Sequence, residues 1–201
     1  MNICDKCSAH GLRFERQYKP IHFFEGRLSS RIWIIGLNPK NETRYQDHRD
    51  EEQLHEYFDQ KGRIHGYFHD FRKVSKRLYD LLGAESGAGH TDLVKCFSPE
   101  WPPNGAKGAR EKRAIVANCD IYLREQIAAG VPDIIVCNGA PVCEFIRGIV
   151  QVEEDHGTYY FGKLKGRRIA VVLSGFIGRI DNFAKRRLGR EIEGLMEHFG
   201  I

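Results

Sequence analysis

The residues best suited to chemistry in this chain are its six cysteines. Cys4 and Cys7 form a C-x-x-C pair at the start of the sequence. No apolar run precedes this pair to form the strand of a thioredoxin-like redox site, so the spacing favours a metal site. Because two thiolates rarely complete a coordination shell, further ligands are expected from distant parts of the sequence.

The turn after a short apolar run is a second place where chemistry is expected. Residues 32–35 (IWII) predict a strand buried on both faces, and Gly36 and Pro39 mark its end. In an open parallel sheet, ligands bind beyond the carboxyl ends of the strands. Asn38 therefore stands where an amide can hold a water or the edge of a substrate. The alternative is a helix-entry turn that Asn38 caps.

Periodic segments of the sequence predict the elements that would position these residues. Helices are expected over residues 67–82, 110–129 and 141–147, and a basic helix closes the chain. Further strands are expected at residues 91–96, 134–137 and 169–173, with a hairpin over 157–168. This alternation predicts an α/β fold: a three-layer α/β/α sandwich around a four-stranded parallel sheet, in a single domain over residues 1–201. The strands would end at Asn38, Cys96, Asn138 and Ser174.

Composition limits the classes of partner. The 201 residues carry a net charge of +4 and are 29% charged, as expected of a soluble globular protein. The mildly basic balance permits a polyanionic partner without requiring one. No apolar run is long enough for a bilayer, and the first residues contain no apolar segment typical of a signal peptide. We therefore expect a cytoplasmic protein, and we expect a monomer.

The cysteines and their flanking residues resemble the iron–sulfur uracil-DNA glycosylases, family 4 of the uracil-DNA glycosylase superfamily. The matching features are the C-x-x-C pair, LVKC ending at Cys96, a Pro-rich loop, Cys119 followed by IYLREQI, and PDIIVCNGA. The resemblance runs from Cys4 to the terminal helix. It implies the fold of that superfamily.

The resemblance implies that four cysteines ligate a 4Fe-4S cluster: Cys4, Cys7, Cys96 and Cys119. Thiolates suit that cluster, which would tie the N-terminus to the loop after the second strand and to the second helix. Zinc in the same four thiolates is the alternative. Cys137 and Cys143 have no counterparts in the family, and we interpret both as buried small apolar residues.

The resemblance also implies hydrolysis of an N-glycosidic bond in DNA, with the target base flipped into a pocket. The motif Gly36-Leu37-Asn38-Pro39 is more similar to the GINPG of the mismatch-specific uracil/thymine glycosylases than to the acidic GExPG of family 4. The Asn of that motif holds the attacking water, and Asn38 matches it. Glu42 is the alternative water-activating group, and Lys40 replaces the usual Gly.

The predicted base pocket contains Gly36, Leu37, Asp92 and one aromatic residue. Asp92 stands four residues before Cys96, where the family has an Asn that reads uracil. An ionised Asp only accepts hydrogen bonds, so Asp92 suits an exocyclic amine or, when protonated, uracil itself. The alternative is a turn cap. Tyr67 or Phe68 matches the aromatic residue that stacks on the base.

The last motif departs from the family. Ser174, within Leu173-Ser174-Gly175-Phe176, stands where the family has the His that stabilises the leaving base. Losing that group should cost roughly a few kcal/mol of transition-state stabilisation. Phe176 and Ile177 are predicted to wedge into the base stack. The basic residues that follow are predicted to contact phosphates, or else to form the solvated face of the terminal helix: Arg179, Lys185, Arg186, Arg187 and Arg190.

The leading hypothesis is a DNA glycosylase with an iron–sulfur cluster that removes uracil or another deaminated or damaged base in DNA repair. The main alternative is a non-catalytic nucleic-acid-binding or damage-sensing protein on the same scaffold. A zinc-stabilised domain that binds free nucleotides is a further alternative. DNA is the expected partner, and no obligate protein partner is evident.

Overall fold

A mixed six-stranded sheet organises the chain, with strand order β2-β1-β3-β6-β5-β4. The computed structural model describes residues 6–10, 12, 26–39, 66–96, 101–103 and 108–201. The strands are β1 (Ile32–Gly36), β2 (Ala88–Asp92), β3 (Ile134–Asn138), β4 (Gln151–Asp155), β5 (Tyr159–Leu164) and β6 (Arg167–Ser174). The first four in the order, β2, β1, β3 and β6, pair in parallel. The predicted parallel sheet is therefore confirmed, but two antiparallel strands extend it.

Alternation along β1 shows how the sheet forms the middle layer. Ile32 and Ile34 belong to one apolar cluster, whereas Trp33 and Ile35 belong to the other, and all four are fully buried. Successive side chains of a strand point to opposite faces, so a continuous apolar run fits a strand covered on both sides. The three-layer α/β/α arrangement is thus confirmed.

Five helices cover the two faces of the sheet in the part of the chain that the structure describes: α1 (Gly66–Val74), α2 (Lys76–Asp80), α3 (Ala109–Gly130), α4 (Ala140–Arg147) and α5 (Asn182–His198). The cluster on one face includes apolar residues of α1, α2 and α5, and the cluster on the other includes those of α3 and α4. A short 3-10 turn, Ser8–His10, precedes them. No helix among the described residues is long and apolar enough to cross a membrane.

The single helix predicted over residues 67–82 is two helices, α1 and α2. Ser75 interrupts it with extended backbone, and its hydroxyl caps α2 by accepting a hydrogen bond from the Leu78 amide at 3.1 Å. Helix α5 passes close to the break, because a Cβ on Gly189 would lie 1.9 Å from the Val74 carbonyl oxygen. Apolar spacing continues through the break, which explains why the pattern did not show it.

The prediction for the second strand was wrong by several residues. The strand occupies Ala88–Asp92 rather than residues 91–96, and Leu93 and Val94 follow it as buried residues. Its sequence, AGHTD, carries no apolar signal. The amides of Leu93 and Val94 still donate to the carbonyls of Gly36 and Leu37, at 2.9 and 2.8 Å. Asp92, not Cys96, therefore ends this strand.

The predicted hairpin is present and forms the β5–β6 pair. Its two-residue turn, Lys165 and Gly166, has positive φ at both positions, 49° and 78°. That is the backbone of a type I′ turn, whose twist matches the flanking strands. Strand β4 was not predicted, because all five of its residues are exposed and it lies at the edge of the sheet.

Candidate active site

The carboxyl ends of the four parallel strands bring the candidate catalytic residues to one edge of the sheet. Gly36 at the end of β1 pairs with Asp92 at the end of β2. On the other side, Asn138 at the end of β3 pairs with Ser174 at the end of β6. Ligands of open α/β sheets bind at this edge. Gly36, Asp92, Asn138 and Ser174 therefore lie at this edge, and their roles in catalysis and base binding stay predictions.

The carboxylate of Asp92 lies directly over the backbone of Gly36. A Cβ built on Gly36 would meet Asp92 Oδ1 at 2.2 Å, so the arrangement requires glycine at this position. Asp92 is 4% exposed, and its Oδ2 has no hydrogen-bond partner among the described residues. A buried carboxylate oxygen without a partner is costly, unless a ligand or a proton compensates it.

A buried lysine accompanies this carboxyl group. Lys95 is buried, and its Nζ donates to Thr91 Oγ1 at 2.7 Å. Burial raises the pKa of Asp92 to about 7, although the charge of Lys95 opposes the shift. Burial also lowers the pKa of Lys95. The pKa values of the acid and the base thus approach one another, which is typical of functional sites.

A chain of hydrogen bonds runs across the same edge from β3 to β2. The Ile177 amide donates to Asn138 Oδ1 at 2.7 Å, and Asn138 Nδ2 donates to the Tyr67 hydroxyl at 2.8 Å. The Tyr67 hydroxyl in turn lies 2.8 Å from His90 Nε2. Because the hydroxyl oxygen accepts from Asn138, its hydrogen is available for Nε2. The chain thus fixes the Tyr67 ring between two strands.

His90 is neutral in this setting. Burial, followed by the nearby charge of Lys95, lowers its pKa to about 3. A neutral imidazole can accept the Tyr67 hydrogen at Nε2, which an imidazolium cannot do. The side chain therefore orients Tyr67 and does not act as a cation near neutral pH.

Tyr67 is the member of the predicted aromatic pair that reaches the site. It is half-buried, whereas Phe68 is buried in the core and packs edge-on against His90 with ring centroids 5.5 Å apart. The ring of Phe176 lies 6.4 Å from that of Tyr67 at an interplanar angle of 32°. Tyr67 and Phe176 thus form one aromatic wall beside the strand ends.

The residues predicted to act on water and on the leaving base are Asn38, just after β1, and Ser174, the last residue of β6. Asn38 is half-buried just after β1, next to half-buried Leu37, and its Nδ2 donates to the Pro39 carbonyl at 3.0 Å. Ser174 is half-buried, and its hydroxyl donates to the Gly175 carbonyl at 2.8 Å. Glu42, like Lys40, lies outside the described residues, so its predicted role stays a prediction.

Three of the four predicted metal-ligating cysteines come together on the other face of the sheet. Cys7, Cys96 and Cys119 are buried, and the Cys119 thiol contacts both of the other two. The hydrogen bond with Cys119, and then burial, raise the pKa of Cys7. Asn118 Nδ2 also donates to Cys7 Sγ at 3.4 Å. Three separate parts of the chain thus supply adjacent thiols.

Cys4 lies outside the described residues. Within the described part of the chain, no group of three or more His, Cys, Asp or Glu side chains is arranged to hold a metal ion. The ligand set, and the choice between a 4Fe-4S cluster and zinc, therefore stay predictions. Cys137 is fully buried on β3, as expected, whereas Cys143 is half-buried and its thiol donates to the Ser174 carbonyl at 3.4 Å.

Two residues predicted to contact DNA are part of the fold instead. Ile177 is 1% exposed and packs in the core, so its side chain cannot wedge into a base stack. Lys185 is 5% exposed, and its Nζ donates to Asp70 Oδ1 at 2.8 Å. From the sequence alone, Lys185 cannot be distinguished from a lysine that contacts phosphate. The fold shows that it pairs with a carboxylate instead. Phe176 and Arg179 are exposed, and their predicted contacts with DNA stay predictions.

Two residues of the site, His90 and Lys95, were not predicted as site residues, and Asn138 was predicted only as the end of a strand. Asn138 comes at the end of an apolar run, as Asn38 does, and this signal could have included it in the site. His90 gave no signal, because the strand that carries it has no apolar pattern. In the sequence, Lys95 was noted only as part of the LVKC motif that ends at Cys96.

Comparison with known proteins identifies the scaffold. Residues 23–182 match the family model described as the uracil DNA glycosylase superfamily. No curated protein matches the chain significantly. Because the match covers well over half of the sequence, the chain belongs to the uracil-DNA glycosylase superfamily. Members of that superfamily act on DNA and generally hydrolyse N-glycosidic bonds. Membership therefore supports a function of the DNA glycosylase type, at the level of the family.

Proposed function

We propose that this protein is a DNA glycosylase that hydrolyses the N-glycosidic bond of uracil or a related deaminated or damaged base. The observation that supports the proposal most directly is the arrangement at the carboxyl edge of the sheet. There, a buried carboxyl group lies over a glycine, beside an aromatic residue held by a buried hydrogen-bond chain. This is the combination that a pocket for a flipped base requires: a stacking surface and a polar group for the base edge.

Asn38 positions the attacking water in this proposal. It is half-buried at the end of the strand adjacent to Asp92, and an amide oxygen can orient a water by accepting its hydrogen bond. Holding the water in line with the sugar carbon lowers the entropy cost of the reaction. Glu42 follows closely in sequence and is the alternative group for this step.

Asp92 reads the edge of the base. In its protonated form, the carboxyl group donates to one atom and accepts from another, as an amide does, and this pattern fits O4 and N3–H of uracil. In its ionised form it only accepts, and it then suits an exocyclic amine. A pKa of about 7 makes both forms accessible near neutral pH, which supports a role in selecting the base.

The leaving base receives little help from Ser174. Its hydroxyl hydrogen is already used in a hydrogen bond to the Gly175 carbonyl. We therefore propose that the enzyme acts slowly or prefers bases that leave easily. The same observation favours one alternative function, a damage sensor that binds the base without cleaving the bond.

The three contacting thiols support the proposed metal centre. Cys7, Cys96 and Cys119, with Cys4 as the fourth donor, would hold a 4Fe-4S cluster or zinc, because both are bound by thiolates. Bound there, either centre would supply structural cross-linking between three segments. The protein's own residues at the carboxyl edge of the sheet would carry out the reaction.

An excision assay tests the proposal. Oligonucleotides that each carry one modified base (uracil, hypoxanthine or a damaged base) are incubated with the protein, and abasic sites are revealed by alkaline cleavage. We expect release of at least one base by the wild type, and loss of release in Asn38→Ala. Specific binding to the modified oligonucleotide without any excision would instead favour the damage sensor.

A further inference from the structure

Two cysteines that take no part in the proposed metal centre lie together beside the candidate active site. Cys137 is on β3, and Cys143 lies in the first turn of α4. A hydrogen bond joins their thiols. The turn between the strand and the helix therefore brings two sulfur atoms into contact, which is the first condition for a disulfide.

The two thiols differ in their access to solvent. Cys137 is fully buried in the apolar cluster that α3 and α4 cover, whereas Cys143 is half-buried at the edge of that cluster. A small reagent that arrives from solvent therefore meets the Cys143 sulfur first. Cys137 is shielded from the reagent, but it is in contact with whatever forms on Cys143.

The acidities of the two thiols differ in the same direction. The hydrogen bond that Cys137 donates lowers the pKa of Cys143 to about 7, against the effect of burial, and the charge of Arg147 also lowers it. Burial raises the pKa of the Cys137 thiol. Because the thiolate is the nucleophilic form of cysteine, the more accessible thiol is also the more reactive one.

The surroundings of the pair favour a thiolate as well. Tyr160 is fully buried in the same cluster, and its hydroxyl has no hydrogen-bond partner in the described part of the chain. Burial, and then the proximity of Cys137, raise the pKa of Tyr160, so the hydroxyl stays neutral. Arg147 lies over the Tyr160 ring, 5.4 Å from its centroid, and its ion pair with Asp155 is long, at 3.5 Å. The positive charge beside the pair is therefore only partly compensated.

The pair is connected to both strand ends of the candidate active site. As a thiol, Cys143 donates to the Ser174 carbonyl at 3.4 Å, at the end of β6. Cys137 directly precedes Asn138, whose Oδ1 accepts from the Ile177 amide at 2.7 Å. A change in the bonding of the two sulfur atoms would therefore affect the segment that follows β6.

We infer that Cys143 and Cys137 are a peroxide-sensitive thiol pair, which closes to a disulfide and loosens this edge of the sheet. The inference goes beyond the proposed function, and no step of it requires excision of a base. The oxidant it names is a hydroperoxide, of which hydrogen peroxide is the simplest.

The reaction has two steps. The Cys143 thiolate attacks one oxygen of hydrogen peroxide, so that an S–O bond forms, the O–O bond breaks, and hydroxide leaves and takes up the proton that Cys143 had lost. The Cys137 sulfur then attacks the Cys143 sulfur: the S–S bond forms, the S–O bond breaks, and water leaves with the proton of Cys137. Two thiols are oxidised to one disulfide, and one peroxide is reduced to two waters.

Closure of the disulfide changes the strand ends in two ways. Cys143 no longer has a hydrogen to donate, so the Ser174 carbonyl loses that bond. The sulfur atoms of a disulfide are about 2.05 Å apart, closer than two hydrogen-bonded thiols, so the first turn of α4 is drawn towards β3. Asn138, next to Cys137, shifts with the strand end, and its bond with the Ile177 amide weakens.

Mass spectrometry of the protein as purified tests the chemistry. The protein is treated with hydrogen peroxide, its remaining thiols are blocked, and it is digested without reductant. We expect the peptide that contains both cysteines to lose the mass of two hydrogen atoms and to regain it on reduction. In Cys137→Val, which lacks the second thiol, a cyclic diketone should instead trap Cys143 as its sulfenic acid.

Hydrogen exchange tests the structural change. Peptides over residues 174–177 should exchange about two- to ten-fold faster in the oxidised wild type than in the reduced protein, which is the ratio expected for one net hydrogen bond. Cys143→Ser is the matched control, because its hydroxyl can keep the bond to Ser174 but cannot form a disulfide. The same treatment should leave its exchange unchanged, and it also accounts for any effect of peroxide on the metal centre.

The inference is overturned if both cysteines stay reduced in the treated wild type. It is also overturned if the disulfide forms while exchange over residues 174–177 stays at its reduced value, or if Cys143→Ser shows the same acceleration. Neither readout depends on excision, so a protein that releases no base would leave this test intact.

Discussion

The pH dependence of base selection follows from the burial of Asp92. The carboxyl group that can donate a hydrogen bond to uracil is the protonated form, which exists below its pKa and is lost above it. Because burial raises the pKa of Asp92 towards neutrality, the protonated fraction falls as the pH rises from about 6 to about 8. Uracil release by the wild type should therefore fall across that range.

The substitution Asp92→Asn makes this prediction specific. An amide donates and accepts at every pH, so the variant should release uracil with a flat profile and should match or exceed the wild type at about pH 8. Single-turnover excision from a uracil oligonucleotide, measured at intervals from about pH 5.5 to 8.5, gives both profiles. Asp155→Asn removes an exposed carboxylate on β4 and should retain the wild-type profile.

Two results would refute the reasoning. Uracil release that rises with pH in the wild type would show that the ionised carboxylate is the active form. A profile in Asp92→Asn that is identical to that of the wild type would show that Asp92 neither reads the base nor titrates in the working range.

Four further predictions test the site, the fold and the metal centre. Gly36→Ala places a Cβ 2.2 Å from Asp92 Oδ1, so the free energy of unfolding measured in urea should fall by about 1–3 kcal/mol. In the control Gly194→Ala, the added Cβ has no atom within 4 Å, and the free energy of unfolding should not fall. Tyr67→Phe removes the hydroxyl that joins two buried side chains, and should lower both stability, by about 1–3 kcal/mol, and the excision rate. Lys185→Met leaves the Asp70 carboxylate with Lys73 as its ion-pair partner, and should lower stability by about 1–3 kcal/mol but leave the affinity for DNA, measured by anisotropy, unchanged. Cys119→Ser should abolish metal binding. In the wild type, absorbance at about 400 nm would identify an iron–sulfur cluster, whereas no such absorbance together with a positive zinc assay would identify zinc.

Each of these predictions has a result that would contradict it. A stable, active Gly36→Ala would mean that Asp92 moves away without cost. Full activity in Tyr67→Phe would remove the hydrogen-bond chain from the mechanism. Weaker DNA binding by Lys185→Met would show that Lys185 contacts a phosphate, contrary to its ion pair in the structure. Metal retained in Cys119→Ser would place the centre elsewhere.

Much of the fold could be predicted because a strand buried on both faces is a run of apolar residues. Residues 32–35, 134–137 and 169–173 carry that signal, and the parallel strands they predict are present. Strand β2 could not be located correctly, because its residues AGHTD are small or polar and give no apolar pattern. Its backbone pairing with β1 defines it as a strand. The break at Ser75 could not be predicted for the opposite reason, because the apolar spacing continues through it.

The candidate site was predictable where a residue follows an apolar strand directly. Gly36 and Ser174 were placed correctly by that rule, and Asp92 was placed by resemblance. Contacts between residues far apart in sequence could not be predicted. The bonds from Tyr67 to His90 and to Asn138, and from Lys185 to Asp70, form because the fold brings α1 against the strands and against α5.

Identification of the reaction products is the sharpest test of whether this protein breaks an N-glycosidic bond in DNA. Mass spectrometry of a reaction with a single-stranded uracil oligonucleotide at about pH 6, where the neutral carboxyl predominates, should show free uracil and an equal amount of a strand with one abasic site. Asn38→Ala should yield neither product under the same conditions. An intact oligonucleotide after prolonged incubation with the wild type, for uracil and for every other modified base offered, would contradict the account.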